Sequence, residues 1–431
     1  MLNLLEKIVN SIGPIGMSLL GMLLQIGIAY WLSTNRKKIN WKTVGWAFAL
    51  QLIFAVCILK IPAGQTFFGW LDKGVTFILD STTAGAEFVF GPLGVNGAMF
   101  GQTKVPHLFA FQTLPTIIFF SALMALFYHL GVMQKIVYWM AIAMKSILGT
   151  SGAETLSATS NIFVGQTEAP LMIKPYVEKM TMSELNAVMA GGMATIAGGV
   201  MAAYIGMLKD KIPGIAGHLI AASVMSAPAS LMFSKIMVPE TEIPETAAGV
   251  EFKSESLDSS AIDAVSRGCS EGLALALNVG AMLVGFISII ALANALTEGL
   301  FNMFGAENIT LTKIAGWLFS PFAAFLGVPF KECAAAGQLL AEKTVLNEFV
   351  AYLNLANIMN GAVPFSHKAA VILSYALCGF SNLGSIGIQI GGIGSIAPSR
   401  RGDLAKLAVR ALVAGTFASF MTANIAGLFI G

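Results

Sequence analysis

Runs of about 20 apolar residues recur along this 431-residue chain, at roughly 14–33, 43–62, 111–132, 184–208, 213–238, 272–303, 357–396 and 403–430. A helix of that length crosses the hydrocarbon core of a bilayer, and inside lipid only a helix or a closed barrel satisfies its own backbone. The chain reads as an all-α polytopic membrane protein with eight spans. The seventh run is too long for one crossing and rich in glycine, so a break is expected inside it. The first 33 residues lack a small-residue cleavage pattern and run on into a full span, which reads as a first helix and not a removable signal.

Composition narrows the function classes. Hydrophobic residues make up 56% of the chain and charged ones 11%, with a formal net charge of +2. No basic stripe with interleaved aromatics appears, so lipid is an expected partner and nucleic acid is not. Cys57, Cys269, Cys333 and Cys378 are scattered without a CxxC or Cys/His cluster, and are expected to pack as small hydrophobes. His107, His129, His218 and His367 are isolated.

Three stretches do not fit the spanning pattern. Residues 63–104, with Trp70, Phe77, Phe88 and Phe90, and residues 134–149, with Lys135 and Lys145, are expected to include helices lying along the interface. Residues 240–263 carry seven acids, Glu240, Glu242, Glu245, Glu251, Glu255, Asp258 and Asp263, and read as a solvated linker. The basic segment "NRKKINWK" (35–42) places the first connection in the cytoplasm and the N-terminus outside. For "SRRGDLAKLAVR" (399–410) to be cytoplasmic as well, 150–180 and 313–353 must each enter and leave on one side, as re-entrant hairpins. The C-terminus then falls outside.

Those two segments hold the polar oddities of the chain, "NIFVGQTEAPLM" (161–172) with Glu168 and "VLNEFVAY" (345–352) with Glu348. After the first comes "AGGMATIAGGV" (190–200) and after the second "CGFSNLGSIGI" (378–388). Aligning Gly192 with Gly379 sets Thr195 opposite Asn382 and Gly198 opposite Ser385. Each half therefore reads as hairpin, broken span, span. Inverted halves with discontinuous helices mark secondary transporters, whose sites lie near the midplane where the breaks meet.

Ionised groups at membrane depth are costly and are functional candidates by default. Glu168 and Glu348 only accept hydrogen bonds, which suits a ligand rich in hydroxyl and N–H donors. Gln166, Asn347 and Asn382 both donate and accept, and Ser385 adds a hydroxyl. No Arg or Lys faces them as an anionic substrate would require, so the inventory points to a neutral polyol or heterocycle. Asn161 and the turn around Thr195 offer the hard oxygens that sodium accepts, although Asn161 also reads as a helix cap. The glycine run 384–401 follows no strand, so close helix packing or breaking explains it and phosphate binding does not.

With "NIFVGQTEAPLMIKPY", "VLNEFVAYL" and "GFSNLGSIGIQIGGIGSIAPSRR" in view, the chain resembles the concentrative nucleoside transporters, in particular their bacterial eight-span members. The resemblance runs from about residue 85 to the C-terminus. It implies a homotrimer in the plasma (bacterial inner) membrane and an elevator-like mechanism, in which a mobile transport domain carries substrate and ion across a fixed scaffold. On this reading residues 1–133 are mostly scaffold, 134–238 the first transport repeat, 239–271 a cytoplasmic linker, 272–304 a scaffold span and 305–431 the second repeat.

By motif, Gln166, Thr167 and Glu168 would contact the base of a nucleoside such as uridine or adenosine, with Val200 and Phe380 packing on its faces. Glu348, Asn382 and Ser385 would hold the ribose hydroxyls. The resemblance implies sodium as the coupling ion, bound by Asn161, the Val164 carbonyl, the Thr195 hydroxyl and the Ile196 carbonyl, with no organic cofactor. Position 195 is Thr where Ser is expected in sodium-coupled relatives, and the hydroxyl oxygen is retained. The alternative is coupling to protons, with an acid or His367 carrying the charge. A membrane hydrolase using Glu168 and Glu348 as an acid/base pair is the rival from another class, opposed by the repeat and by the lack of a nucleophile–His constellation. A passive channel is a third.

Overall fold

The computed structural model describes residues 2–101, 103–106, 108–248 and 258–430. His107 and residues 249–257 of the acidic linker, with Glu251 and Glu255, lie outside the described residues. The described chain is helical apart from loops and a two-residue antiparallel ladder, Met99–Phe100 with Thr103–Lys104. The first helix, α1 (Leu2–Trp31), bends where Gly13 adopts a φ of 74° and Pro14 follows. After it come α2 (Trp41–Leu59) and α3 (Pro62–Phe90). Asn40 caps α2 by accepting from the Lys42 and Thr43 amides, and Pro62 sits at the start of α3 where its missing N–H is harmless.

The aromatic stretch expected at the interface is thus one continuous helix over most of its length. It leads through a wide turn into α4 (Leu114–His129) and then α5 (Val132–Leu148). The last buries one stripe, Met133, Val137, Ala141, Met144 and Leu148, and exposes Trp139. That four-then-three spacing is what an amphipathic helix lying on a packed surface requires.

A first helical hairpin follows. Its leading arm is α6 (Gly152–Ser160), its tip is residues 161–168, and its return is a 3-10 turn ending in the short α7 (Lys174–Val177). The next expected span is broken into α8 (Met182–Ala194) and α9 (Gly198–Leu208), and α10 (Ile215–Met237) closes the repeat. Ser151 and Thr181 start α6 and α8 with full capping boxes to Glu154 and Glu184. At the same end, buried Lys235 pairs with Glu154 at 2.7 Å and donates to Ser183 Oγ at 2.9 Å, tying α6, α8 and α10 together.

The 42-residue α11 (Ala261–Asn302) lies along α4. Gly268 and Gly272 let the two backbones touch: a Cβ at either would stand 2.7 Å from the Cα of Ala122 or Ile118. Small residues four apart are how helices approach closely in lipid. Then come α12 (Leu311–Phe325), a second hairpin of α13 (Cys333–Val345) and α14 (Glu348–Asn360), the helices α15 (His367–Leu377) and α16 (Leu383–Ile396), and finally α17 (Arg401–Phe429).

Among the described residues seven helices are long and apolar enough to cross a membrane, one of them the broken pair α8–α9. The expected seventh run, 357–396, is instead divided between α14, α15 and α16. Gly361 and Pro364 end α14, so the broken element starts at His367 and breaks at 378–382. The equivalent break in the first repeat is 195–197, two residues shorter, so the pairing of Thr195 with Asn382 slips. Matching the helix N-caps sets Asn382 opposite Ala197.

Within the segment 1–133, which the sequence assigns mostly to the scaffold, the three spans have different principal neighbours. α1 lies against α12 and α17, and α2 against α10 and α17, whereas α4 pairs with α11. Hydropathy identifies a span but is blind to which neighbour it meets. Of the cysteines, Cys333 and Cys378 are buried, while Cys57 is exposed and does not pack inside as expected.

Candidate binding site where the two breaks meet

The two helix breaks are joined directly. The Phe380 amide in the second donates to the Thr195 carbonyl in the first at 3.2 Å. Gly379 allows this approach, since a Cβ there would stand 2.9 Å from both the Met193 and Ala194 carbonyl oxygens. The first hairpin is fastened to the same place: the Gly198 amide donates to the Phe163 carbonyl at 3.0 Å.

Around this junction a chain of side-chain hydrogen bonds runs through both repeats. Tyr204 on α9 donates its hydroxyl to Glu348 Oε1 at 3.1 Å, and Asn382 Nδ2 donates to Glu348 Oε2 at 3.0 Å. Asn382 also N-caps α16 by accepting from the Ser385 amide at 2.8 Å. Gln166 from the first hairpin donates to Ser385 Oγ at 3.1 Å and accepts from Gln389 Nε2 at 3.0 Å, which also donates to the Met189 carbonyl on α8. Glu348, Asn382, Ser385 and Gln166 are all buried. Buried polar groups require such partners, and these side chains satisfy one another.

Sequence-predicted residues divide into three sets. Gln166, Glu348, Asn382 and Ser385 join in this chain of bonds. Thr167 sits against Gly392 on α16, where a Cβ would come 2.7 Å from its Cγ2. Val200 is buried on α9 and Phe380 half-buried in the break, flanking the junction. Glu168 stands apart: it is exposed, its carboxylate folded back over Gly165 and within electrostatic reach of Tyr128 on α4. Asn347 N-caps α14 by accepting from the Val350 amide.

Sequence reasoning missed Gln389, Tyr204 and Lys343. Gln389 is the sole amide in a glycine run explained by packing alone, and its polarity in an apolar helix was the available signal. Tyr204 stacks on Tyr352 with ring centres 4.1 Å apart and meets Phe349 edge-on, forming an aromatic wall beside Glu348. Two surface cavities of about 280 and 330 Å³ lie elsewhere, one lined by Asp72, Asp80 and Lys209, the other by Lys38, Glu154 and Lys235.

Two of the ion-ligand candidates, Asn161 and Thr195, lie near the C-terminal end of α8. Asn161 caps the C-terminus of α6, donates Nδ2 to the Ser157 carbonyl at 3.0 Å, and packs near Gly191. Its Oδ1 is buried without a hydrogen-bond partner among the described residues. The Thr195 hydroxyl donates to the Gly191 carbonyl at 3.0 Å, which leaves its lone pairs free to face a cation. An orphaned buried oxygen beside two helix C-termini fits a small hard cation. Groups of three or more His, Cys, Asp or Glu suited to a softer metal are absent among the described residues.

Comparison with known proteins decides the family. Models described as "Na+ dependent nucleoside transporter C-terminus" and "N-terminus" match residues 218–427 and 20–93, and one described as "Nucleoside recognition" matches 110–211. The chain belongs to the concentrative nucleoside transporter family. The nucleoside permease NupC of Helicobacter pylori is 40% identical over 416 residues, 96% of this chain and 97% of that protein. An uncharacterised transporter of Haemophilus influenzae is 45% identical over 417 residues, covering 96% and 97%. Human solute carrier family 28 member 3 is 39% identical over 421 residues, 95% of this chain but 59% of that longer protein.

CNTnw in an inward-facing substrate-bound state superposes with a TM-score of 0.88 at 42% identity, covering 97% of this chain and 98% of its own. A substituted CNTnw in an outward-facing state gives 0.90 at 43%, covering 96% and 98%. This nucleoside transporter is therefore an integral membrane permease and not an enzyme.

Proposed function

We propose that the protein is a sodium-coupled nucleoside symporter that concentrates its substrate by an elevator-type movement. The observation that carries this reading is the hydrogen-bonded chain from Tyr204 through Glu348, Asn382, Ser385 and Gln166 to Gln389, which draws on both hairpins and both broken helices. A ribose diol donates to the Glu348 carboxylate in place of Tyr204 and Asn382, while Gln166 exchanges Ser385 and Gln389 for the donors and acceptors of the base. Both exchanges trade one set of hydrogen bonds for another, so little is lost beyond ordering the ligand. Thr167, Glu168, Val200 and Phe380 complete the base pocket, and Glu168 reaches the ligand by swinging from its exposed position.

Sodium binds Asn161, the Val164 carbonyl, the Thr195 hydroxyl and the Ile196 carbonyl, and supplies positive charge to the C-terminal ends of α6 and α8. Because the Phe380 amide holds the Thr195 carbonyl, ordering that turn also orders the break that carries Asn382. Ion and nucleoside thereby favour each other's binding, as linkage requires. The orphaned Asn161 oxygen favours sodium over a proton as the coupling ion.

The stationary part is α4 with α11, and the moving part contains the two re-entrant hairpins, the broken helices and, by their packing, α1 and α2. A homotrimer assembled on the exposed apolar face of α11, where Leu277, Val284 and Leu292 are open, supports the scaffold in a bacterial inner membrane with both termini outside. Uptake of labelled uridine with sodium replaced by choline at fixed pH tests the coupling. Uptake that persists in choline and collapses with the proton gradient would refute the sodium reading.

A further inference from the structure

Lys343, near the end of α13, is buried to 0% exposure, and no carboxylate comes within ion-pair distance of it among the described residues. Its ammonium donates to the Ala376 carbonyl in the last turn of α15 at 2.7 Å and to Ser419 Oγ on α17 at 2.9 Å. It lies 5.7 Å from the ring centre of Phe420 and within electrostatic reach of Glu348. Removing an ammonium from water costs several kcal/mol, and two hydrogen bonds with one aromatic face are a modest return. A lysine retained only for packing would more readily be a methionine.

Its position matches that of the coupling-ion site in the other repeat. There the C-termini of α6 and α8 converge, with Asn161 and Thr195 as their C-caps. Here the C-termini of α13 and α15 converge, and Lys343 occupies the last turn of α13 while binding a last-turn carbonyl of α15. Converging negative helix ends favour a cation in both places. We propose that Lys343 is a tethered cation, the second repeat's fixed counterpart of the coupling ion, and a positioning residue that holds the end of α15 so that the following break presents Asn382 to Glu348. The ammonium does not touch the nucleoside; it acts through Ala376, the break 378–382 and Asn382.

The inference rests on the reading of Glu348 as the ribose acceptor, so the experiment separates the two. The wild-type protein is assayed first with uridine and 2′,3′-dideoxyuridine. Equal affinity for both refutes the ribose reading, whatever Lys343 does. With discrimination established, Lys343→Ala is expected to raise the KM for uridine about tenfold or more and that for dideoxyuridine less than about threefold. Added propylammonium, which can enter the hole left by the side chain, should restore most of the uridine affinity. Should Lys343→Ala not assemble, Lys343→Gln keeps a hydrogen-bond donor without the charge and should show the same selective loss. An unchanged uridine KM, or equal losses for both substrates without rescue by propylammonium, overturns the proposal.

Discussion

Exchanging Glu348 for Gln is the most informative single perturbation of the site. The carboxylate accepts from Tyr204 at 3.1 Å and Asn382 at 3.0 Å, and is exposed to only 5%. In the loaded site two ribose hydroxyls take over these oxygens. A hydrogen bond to a charged group contributes about 1.5–3 kcal/mol, so two of them are worth roughly 3–6 kcal/mol before the bonds to Tyr204 and Asn382 that they replace are subtracted. Glutamine keeps one acceptor oxygen, but turns an NH₂ toward a donor and removes the charge. The expected loss of uridine affinity therefore lies at the lower end, about 100-fold, from roughly 1.4 kcal/mol per tenfold. Assembly should persist, because the substitution keeps volume and removes a buried charge. Calorimetric titration of purified protein, with its oligomeric state checked by size exclusion, measures both. A dissociation constant within about threefold of wild type, in an intact protein, would refute the assignment of ribose to Glu348.

Three further outcomes follow from named contacts. Asn161→Ala removes the orphaned buried oxygen and should raise the sodium concentration for half-maximal uptake about tenfold or more, leaving uptake at saturating sodium less affected. Gly192→Ala places a Cβ 2.6 Å from Gln389 Nε2 and 2.9 Å from the Gln166 Cβ, and should weaken nucleoside binding about tenfold by separating that pair, read by the same titration. Gly337→Ala puts a Cβ against the Gly316 carbonyl and 2.7 Å from the Ser320 amide where α12 and α13 cross, and should destabilise the protein by about 1–3 kcal/mol, seen as earlier thermal unfolding in detergent.

Much of the architecture was legible because lipid leaves the backbone few options. Apolar run length located α1, α2, α4, α10, α11 and α17, and glycine with small polar residues marked the break after Ala194. The paired motifs around Glu168 and Glu348 fall where short helices follow one another, α6 into α7 and α13 into α14. The run 357–396 was misread because its hydropathy carries through Gly361 and Pro364, which end α14 by backbone geometry. The repeat alignment slipped because the second break is longer and is set by the Asn382 cap, a local hydrogen bond that residue matching does not register. Gln389, Tyr204 and Lys343 act through partners 144 residues or more distant for Tyr204, 200 or more for Gln389, and 33 and 76 for Lys343. Side chains that draw their role from such distant neighbours carry no local pattern. The division of α1 and α2 from α4 is likewise a fact of packing alone.

The central claim, that this chain drives a nucleoside uphill with sodium, is tested most directly in sealed proteoliposomes containing only the purified protein. An inward sodium gradient, imposed at equal pH on both sides, should accumulate unmodified labelled uridine above its external concentration, and dissipating the gradient should release it. Uridine that only equilibrates, or accumulates equally with choline in place of sodium, would contradict the account.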